Sequence, residues 1–137
     1  MQTVVLAAGS GTRMRPLTDT QPKPTLPVAG RPLVHHALSS AVEAGASRLI
    51  VVVIPRTSAV ETAVGDAVAG VPVEYVTQTE QRGTADAVAA ALESLSPDPF
   101  VVLNGDSLYD EASLTNLYAS TPAVGSFRVD DPRSYGV

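Results

Sequence analysis

The residues able to do chemistry gather in four short segments. Gly9-Ser10-Gly11-Thr12-Arg13 directly follows an apolar run. Its two glycines let backbone come close to a ligand, and consecutive N–H groups in such a turn form a concave anion site. A G-x-G turn is equally a plain tight turn, so its surroundings must narrow the choice. Met14 stands where a dinucleotide-binding fingerprint needs its third glycine, and no Gly-Lys-Ser/Thr follows for a Walker A loop. Nicotinamide chemistry and P-loop chemistry are both disfavoured.

Arg13 and Arg15 lie just past the glycines, and Lys23 sits between Pro22 and Pro24. Flanking prolines bias Gln21 and Lys23 to extended backbone and stiffen the mount, so the ammonium can be aimed with less entropy loss. Eight of the nine basic residues are arginine, and Lys23 is the only lysine in the chain. Point charges on a stiff loop beside an anion nest suit a polyphosphate. A solvated lysine, and an Arg15 that merely pins its loop, are the plainer alternatives.

Asp106 follows an apolar run and Gly105. A carboxylate there can hold a magnesium ion, which takes one or two carboxylates plus substrate phosphates, or can close a simple Asx-turn. Asp110 and Glu111 fall further into the loop and read as solvated acids that cap a helix. Gln78 opens the segment Gln78-Thr79-Glu80-Gln81-Arg82-Gly83-Thr84. Its amide offers a donor and an acceptor to a base edge, and Thr84 is equally credible as a helix N-cap with Asp86 in the first turn. The pair His35-His36 does not read as a metal site, because adjacent helical residues diverge by about 100°.

Strand-like and helix-like stretches must position these groups. Thr3 to Ala8, Arg48 to Ile54, Val71 to Gln78, Phe100 to Leu103 and Ala123 to Val129 read as strands. Helices are expected over Leu33 to Ala44, Ser58 to Ala69, Thr84 to Leu95 and Ser113 to Ala119. Thr12 to Arg31 is too broken by proline to be a helix. This alternation predicts an α/β fold: a Rossmann-like, doubly wound, mainly parallel sheet of about five strands with helices on both faces. Ligands of such sheets bind beyond the carboxyl ends of the strands, and Gly9 to Arg13, Gln78 to Thr84 and Asn104 to Ser107 all fall at such ends.

Composition bounds the function. The chain has 137 residues, a formal net charge of −5, 45% apolar residues and no cysteine. One domain, residues 1–137, is expected. The acidic balance without a basic run argues against nucleic acid. No apolar run approaches the roughly 20 residues of a membrane span, so a soluble, cytoplasmic protein is expected and a membrane partner is not.

The segments LAAGSGTRMRPLT…PKPTLPVAGRPL (Leu6 to Leu33), QxxxxGTADAV (Gln78 to Val88) and LNGD (Leu103 to Asp106) resemble the sugar-phosphate nucleotidylyltransferase family in order and spacing. The forms with Ala8 and with Gly83-Thr84 look closest to enzymes using UTP or dTTP with glucose- or N-acetylglucosamine-1-phosphate, including archaeal types. The resemblance implies that Leu6, Ala8 and Gly9 frame the base, that Gln78 and Gly83 recognise it, and that Thr84 belongs to the nucleotide-binding set. It places Gly11, Thr12, Arg13 and Lys23 on the phosphates and Asp106 on Mg2+, with Arg13, Lys23 and Asp106 as the catalytic set. Tyr135-Gly136-Val137 resembles a further position at the edge of the sugar pocket. The implied partners are a nucleoside triphosphate and a sugar-1-phosphate, and a homo-oligomer is left open. Family catalytic domains run longer and carry a Glu-containing sugar site and a second metal-binding acid beyond this length. The expectation is therefore a truncated, nucleotide-binding half of a transferase. A non-catalytic nucleotide-binding or regulatory module derived from such an enzyme is the alternative, and an interaction module that needs no phosphate groups is a third class.

Overall fold

The structure is a computed structural model that describes residues 1–9, 11–55, 58–120, 122–126, 128–131 and 133. In chain order its elements are β1 (Gln2–Leu6), β2 (Pro27–Val28), β3 (Arg31–Pro32), α1 (Leu33–Glu43), β4 (Arg48–Val53), α2 (Ala59–Val64), β5 (Ala67–Val68), β6 (Val71–Thr77), α3 (Thr84–Ala91), β7 (Phe100–Asn104) and α4 (Glu111–Ala119). The main sheet runs β5-β6-β4-β1-β7. β1, β4, β6 and β7 are parallel, and β5 pairs antiparallel with β6. A mainly parallel five-stranded sheet is thus present, as the alternation of apolar runs implies.

The central strands β1 and β4 are apolar past their first residues because both faces are covered. Successive side chains of β1 and β4 point to opposite sides. Val5 and Val51 pack with Leu38 of α1, Val60 of α2 and Leu114 and Tyr118 of α4 on one face. Val4, Ile50 and Val52 pack with Ala87 and Ala91 of α3 on the other. All five of these strand side chains are fully buried, each contributing roughly 1.5–3 kcal/mol of apolar burial. The small alanines of α3 let that helix lie close to the sheet. The pairing Leu6↔Asn104 brings the ends of β1 and β7 level, and Val53↔Thr77 does the same for β4 and β6.

Two expectations fail here. The stretch Ser58 to Ala69 is not one helix: α2 stops at Val64, and Gly65 takes φ 79, ψ −164. Ala69 and Gly70, both at positive φ, then turn β5 back on β6, the geometry that two-residue hairpins favour. Nor do the described residues of Ala123 to Val129 form a strand. The fifth strand of the sheet is β5, and the outer edge of β7 has no partner among the described residues. Elsewhere bounds shift slightly. α4 begins two residues early because the Asp110 carboxylate accepts a hydrogen bond from the Ser113 N–H at 2.9 Å, a true N-cap. Tyr135, Gly136 and Val137 lie outside the described residues.

Candidate functional site

Beyond β1, the Ala7 N–H donates to the Val52 carbonyl at 2.8 Å and the chain then leaves the sheet. Gly11 has φ 63 and opens a single 3-10 turn, Thr12–Met14. A Cβ at Gly11 would lie 2.8 Å from the Cβ of Lys23 and 3.0 Å from Cγ2 of Thr18. Glycine is therefore needed twice, for its left-handed backbone and because the stem of Lys23 fills the space above it. The Thr18 hydroxyl donates to the Gly11 carbonyl at 2.9 Å and closes the loop. Thr12 and Arg13 are exposed, and Arg13 has no polar partner among the described residues. Arg15 instead pairs with Asp19 at 3.4 Å within the loop.

Lys23 is not extended. It begins a 3-10 turn, Lys23–Thr25, entered through an extended Pro22. The turn wins over the bias of the following proline because the Thr25 N–H and hydroxyl both donate to the Pro22 carbonyl, at 3.0 and 2.8 Å, while Pro24 is buried. The ammonium so mounted donates to Oδ2 of Asp106 at 2.5 Å, across 83 positions of sequence. Asp106 reaches that point because Gly105 packs against β1: its N–H donates to the Leu6 carbonyl at 2.9 Å. A Cβ at Gly105 would lie only 2.9 Å from that same carbonyl oxygen. Gly105 is a positioning residue that sequence reasoning noted without assigning it this close approach.

Gln78 follows β6 and is 4% exposed. Its Nε2 donates to the Gly83 carbonyl at 3.1 Å and to Oδ2 of Asp86 at 2.8 Å. Both partners can only accept, so they fix which end of the amide faces them. The two donors are therefore engaged within the protein, and only the carbonyl oxygen remains for a ligand. The Gln78 hydrogen bond, helped by Arg82, holds the Asp86 carboxyl below its ordinary range. Gly83 precedes the first helical residue and Thr84 begins α3, so Thr84 is not the N-cap and the first turn has no side-chain cap.

Gln81 was missed. Its Nε2 donates to the Ala8 carbonyl at 3.3 Å, tying the segment after β6 to the glycine loop. Between these two walls lies a cavity of about 260 Å³ lined by Leu6, Ala8 and Gly9 on one side and by Gln78, Gln81, Gly83 and Thr84 on the other. Every residue assigned to the base thus lines one hollow. A larger cavity of about 1030 Å³ shares Leu6 and Thr84 with it and extends past Asn104, Ser107 and Tyr109. No sequence signal marks Gln81, because its role depends on where its side chain reaches across the two loops.

For a metal, the described residues contain no group of three or more His, Cys, Asp or Glu side chains. Asp110 is occupied as a helix cap, and the Ser113 hydrogen bond lowers its pKa. Asp106 is a single carboxylate that already holds a cation, the Lys23 ammonium. That donor set fits a hard ion whose other ligands come from phosphate and water. His35 and His36 have separate partners, Ser39 and the Val28 carbonyl.

Residues 2–137 match the model of the family described as nucleotidyl transferase. The chain belongs to this family. As a member of the nucleotidyl transferases it is 40% identical, over 97% of its length, to the mannose-1-phosphate guanylyltransferase of Mycobacterium tuberculosis. It is 39% identical, over 80% of its length, to the UTP–glucose-1-phosphate uridylyltransferase AglF of Haloferax volcanii. The chain spans only 39% and 45% of these two relatives. A solved UDP-glucose pyrophosphorylase in complex with UDP-glucose superposes with a TM-score of 0.72 at 25% identity, covering 86% of this chain and 52% of the other. The UDP-glucose pyrophosphorylase of Acinetobacter baumanii, at 23% identity and a TM-score of 0.77 over 88% of this chain and 53% of its own, shares the fold. These nucleotidyl transferases bear out the resemblance read from the glycine loop, the Gln78 segment and Asp106.

Proposed function

We propose that this chain is the nucleotide-binding half of a sugar-1-phosphate nucleotidylyltransferase that takes UTP or dTTP with Mg2+. The observation that carries the reading is the convergence, at the carboxyl ends of β1, β6 and β7, of a base-sized cavity and the Lys23–Asp106 pair. With both amide donors engaged, Gln78 offers a base only an acceptor. Uracil and thymine present N3–H to such an oxygen, and guanine presents N1–H equally well. The preference for UTP or dTTP therefore rests on the likeness of the Ala8 and Gly83-Thr84 forms to enzymes that use them.

In the reaction an oxygen of the sugar phosphate bonds to the α-phosphorus, and the bond to the β-phosphate bridging oxygen breaks with its electron pair leaving on pyrophosphate. The second pKa of a phosphate monoester is about 6, so the nucleophile is ionised at neutral pH and needs no general base. What remains is positioning and charge neutralisation. Arg13 and Lys23 bind phosphate oxygens, the backbone of Gly11 and Thr12 lets them approach, and Asp106 would hold the magnesium. Bound there, the ion would neutralise charge developing on the phosphates.

Isothermal titration with the four common triphosphates, with and without Mg2+, tests the binding part. UTP or dTTP should bind best; equal or absent binding of all four overturns the base assignment. For turnover, misplacement of a nucleophile by about 1 Å can cost 10²-fold, and this chain spans 39% and 45% of the mannose-1-phosphate guanylyltransferase and AglF relatives. Pyrophosphate release should therefore be at least about 10²-fold slower for the 137-residue chain than for one extended past Val137. Equal rates would show that the sugar site lies wholly within these residues.

A further inference from the structure

Resting on that reading, we propose that Lys23 and Asp106 are alternative partners, so that the ammonium closes the metal carboxylate in the empty protein and a divalent cation enters together with a triphosphate that draws Lys23 away. The 2.5 Å contact joins a group assigned to phosphate and a group assigned to metal. Neither has another charged partner among the described residues. A metal arriving alone must displace an ammonium and then sit beside a positive charge left without an anion. A triphosphate supplies several negative charges, so with it both cations are neutralised at once. The mount supports an exchange between two fixed places. The 3-10 turn sets the stem of Lys23 in the space that a side chain at Gly11 would fill, and the ammonium reaches Asp106 from there. The side chains are 27% and 43% exposed, so water can replace either partner and burial does not lock the pair. Metal and nucleotide affinities are then positively coupled, and by linkage each raises the other.

The test is Mn2+ binding to nucleotide-free protein, read from the electron paramagnetic resonance of the free ion. Lys23→Met should bind Mn2+ about tenfold more tightly than wild type, a gain set by removing one charge-assisted contact discounted for solvent. Adding Asp106→Asn to Lys23→Met should abolish the gain. A Lys23→Met protein that binds Mn2+ no better than wild type, or a gain that survives Asp106→Asn, overturns the exchange. A second measurement needs no variant. Because Lys23 is the only lysine, selective 13Cε-lysine labelling gives one side-chain resonance. UTP in the presence of chelator should shift it, and Mg2+ alone at the same concentration should leave it in place. A full-sized shift from Mg2+ alone overturns the exchange, whereas Mn2+ results as expected with no binding of any triphosphate would instead sink the nucleotide reading.

Discussion

The two ends of the site are built from different interactions. The base end is held by neutral or singly charged hydrogen bonds that engage its donors: Gln78 to Gly83 and Asp86, and Gln81 to Ala8. The phosphate end consists of charges with little else around them, an exposed Arg13 and the Lys23–Asp106 pair. The base end is thus shaped before the ligand arrives, and what it offers is geometry. At the proposed phosphate end the protein's own charges pair with each other, and on the exchange proposed above binding would swap them for those of the ligand.

The comparison breaks most visibly at the phosphate end. Lys23→Ala and Arg13→Ala should each weaken triphosphate binding by about 1.5–3 kcal/mol, the range for a charged hydrogen bond, while leaving the free nucleoside unaffected. Titration of both ligands against each variant checks this. If nucleoside affinity falls as far as triphosphate affinity, the two ends are not separable.

Gln78→Met is the matching change at the base end. It leaves the Gly83 carbonyl and one Asp86 oxygen without their donor beside a nearly buried site. The cost should be roughly 1–3 kcal/mol of stability, toward the lower end because Asp86 keeps Arg82 and water. Nucleoside and triphosphate should lose affinity by the same factor, in contrast to Lys23→Ala. Thermal unfolding and paired titrations give both readouts. Gln81→Met should cost less, about 0.5–1.5 kcal/mol of nucleoside affinity with the melting temperature little changed, since only one partly buried hydrogen bond is lost.

These contrasts mark how far sequence reasoning reaches. β1 and β4 were legible because burial on both faces writes a nearly continuous apolar run, β6 and β7 because short runs rich in β-branched and aromatic residues end at turn residues, and α1, α3 and α4 because their apolar residues recur at helical spacing. β5 was not, since two residues carry no period and the signal lay in the turn at Ala69 and Gly70. Ala123 to Val129 alternates like a strand, yet pairing needs a neighbour that no local pattern supplies. In the site, residue types and their places at strand ends were readable. Side-chain direction was not: nothing local says that Lys23 meets Asp106, that Gln78 turns its donors inward, or that Gln81 crosses to Ala8.

The smallest expected effect is on pH. Asp86 is the one acid of the base end whose ionisation supports the cavity, because Gln78 donates to its charged form and thereby lowers its pKa from an ordinary value near 3.8. A group whose pKa is lower when folded stabilises the fold at every pH above its unfolded value, and loses that contribution as pH falls through the folded one. The stability of wild type relative to Asp86→Asn should therefore be constant from pH 8 to about 5 and decline only below about 4, where the unfolded carboxyl begins to bind its proton first. Urea unfolding of both proteins at low concentration measures this and avoids precipitation near the sequence pI of about 4.8. A difference between the two proteins that stays flat through about pH 3 would mean that the carboxyl is not held by Gln78 and that the base end is looser than its hydrogen bonds indicate.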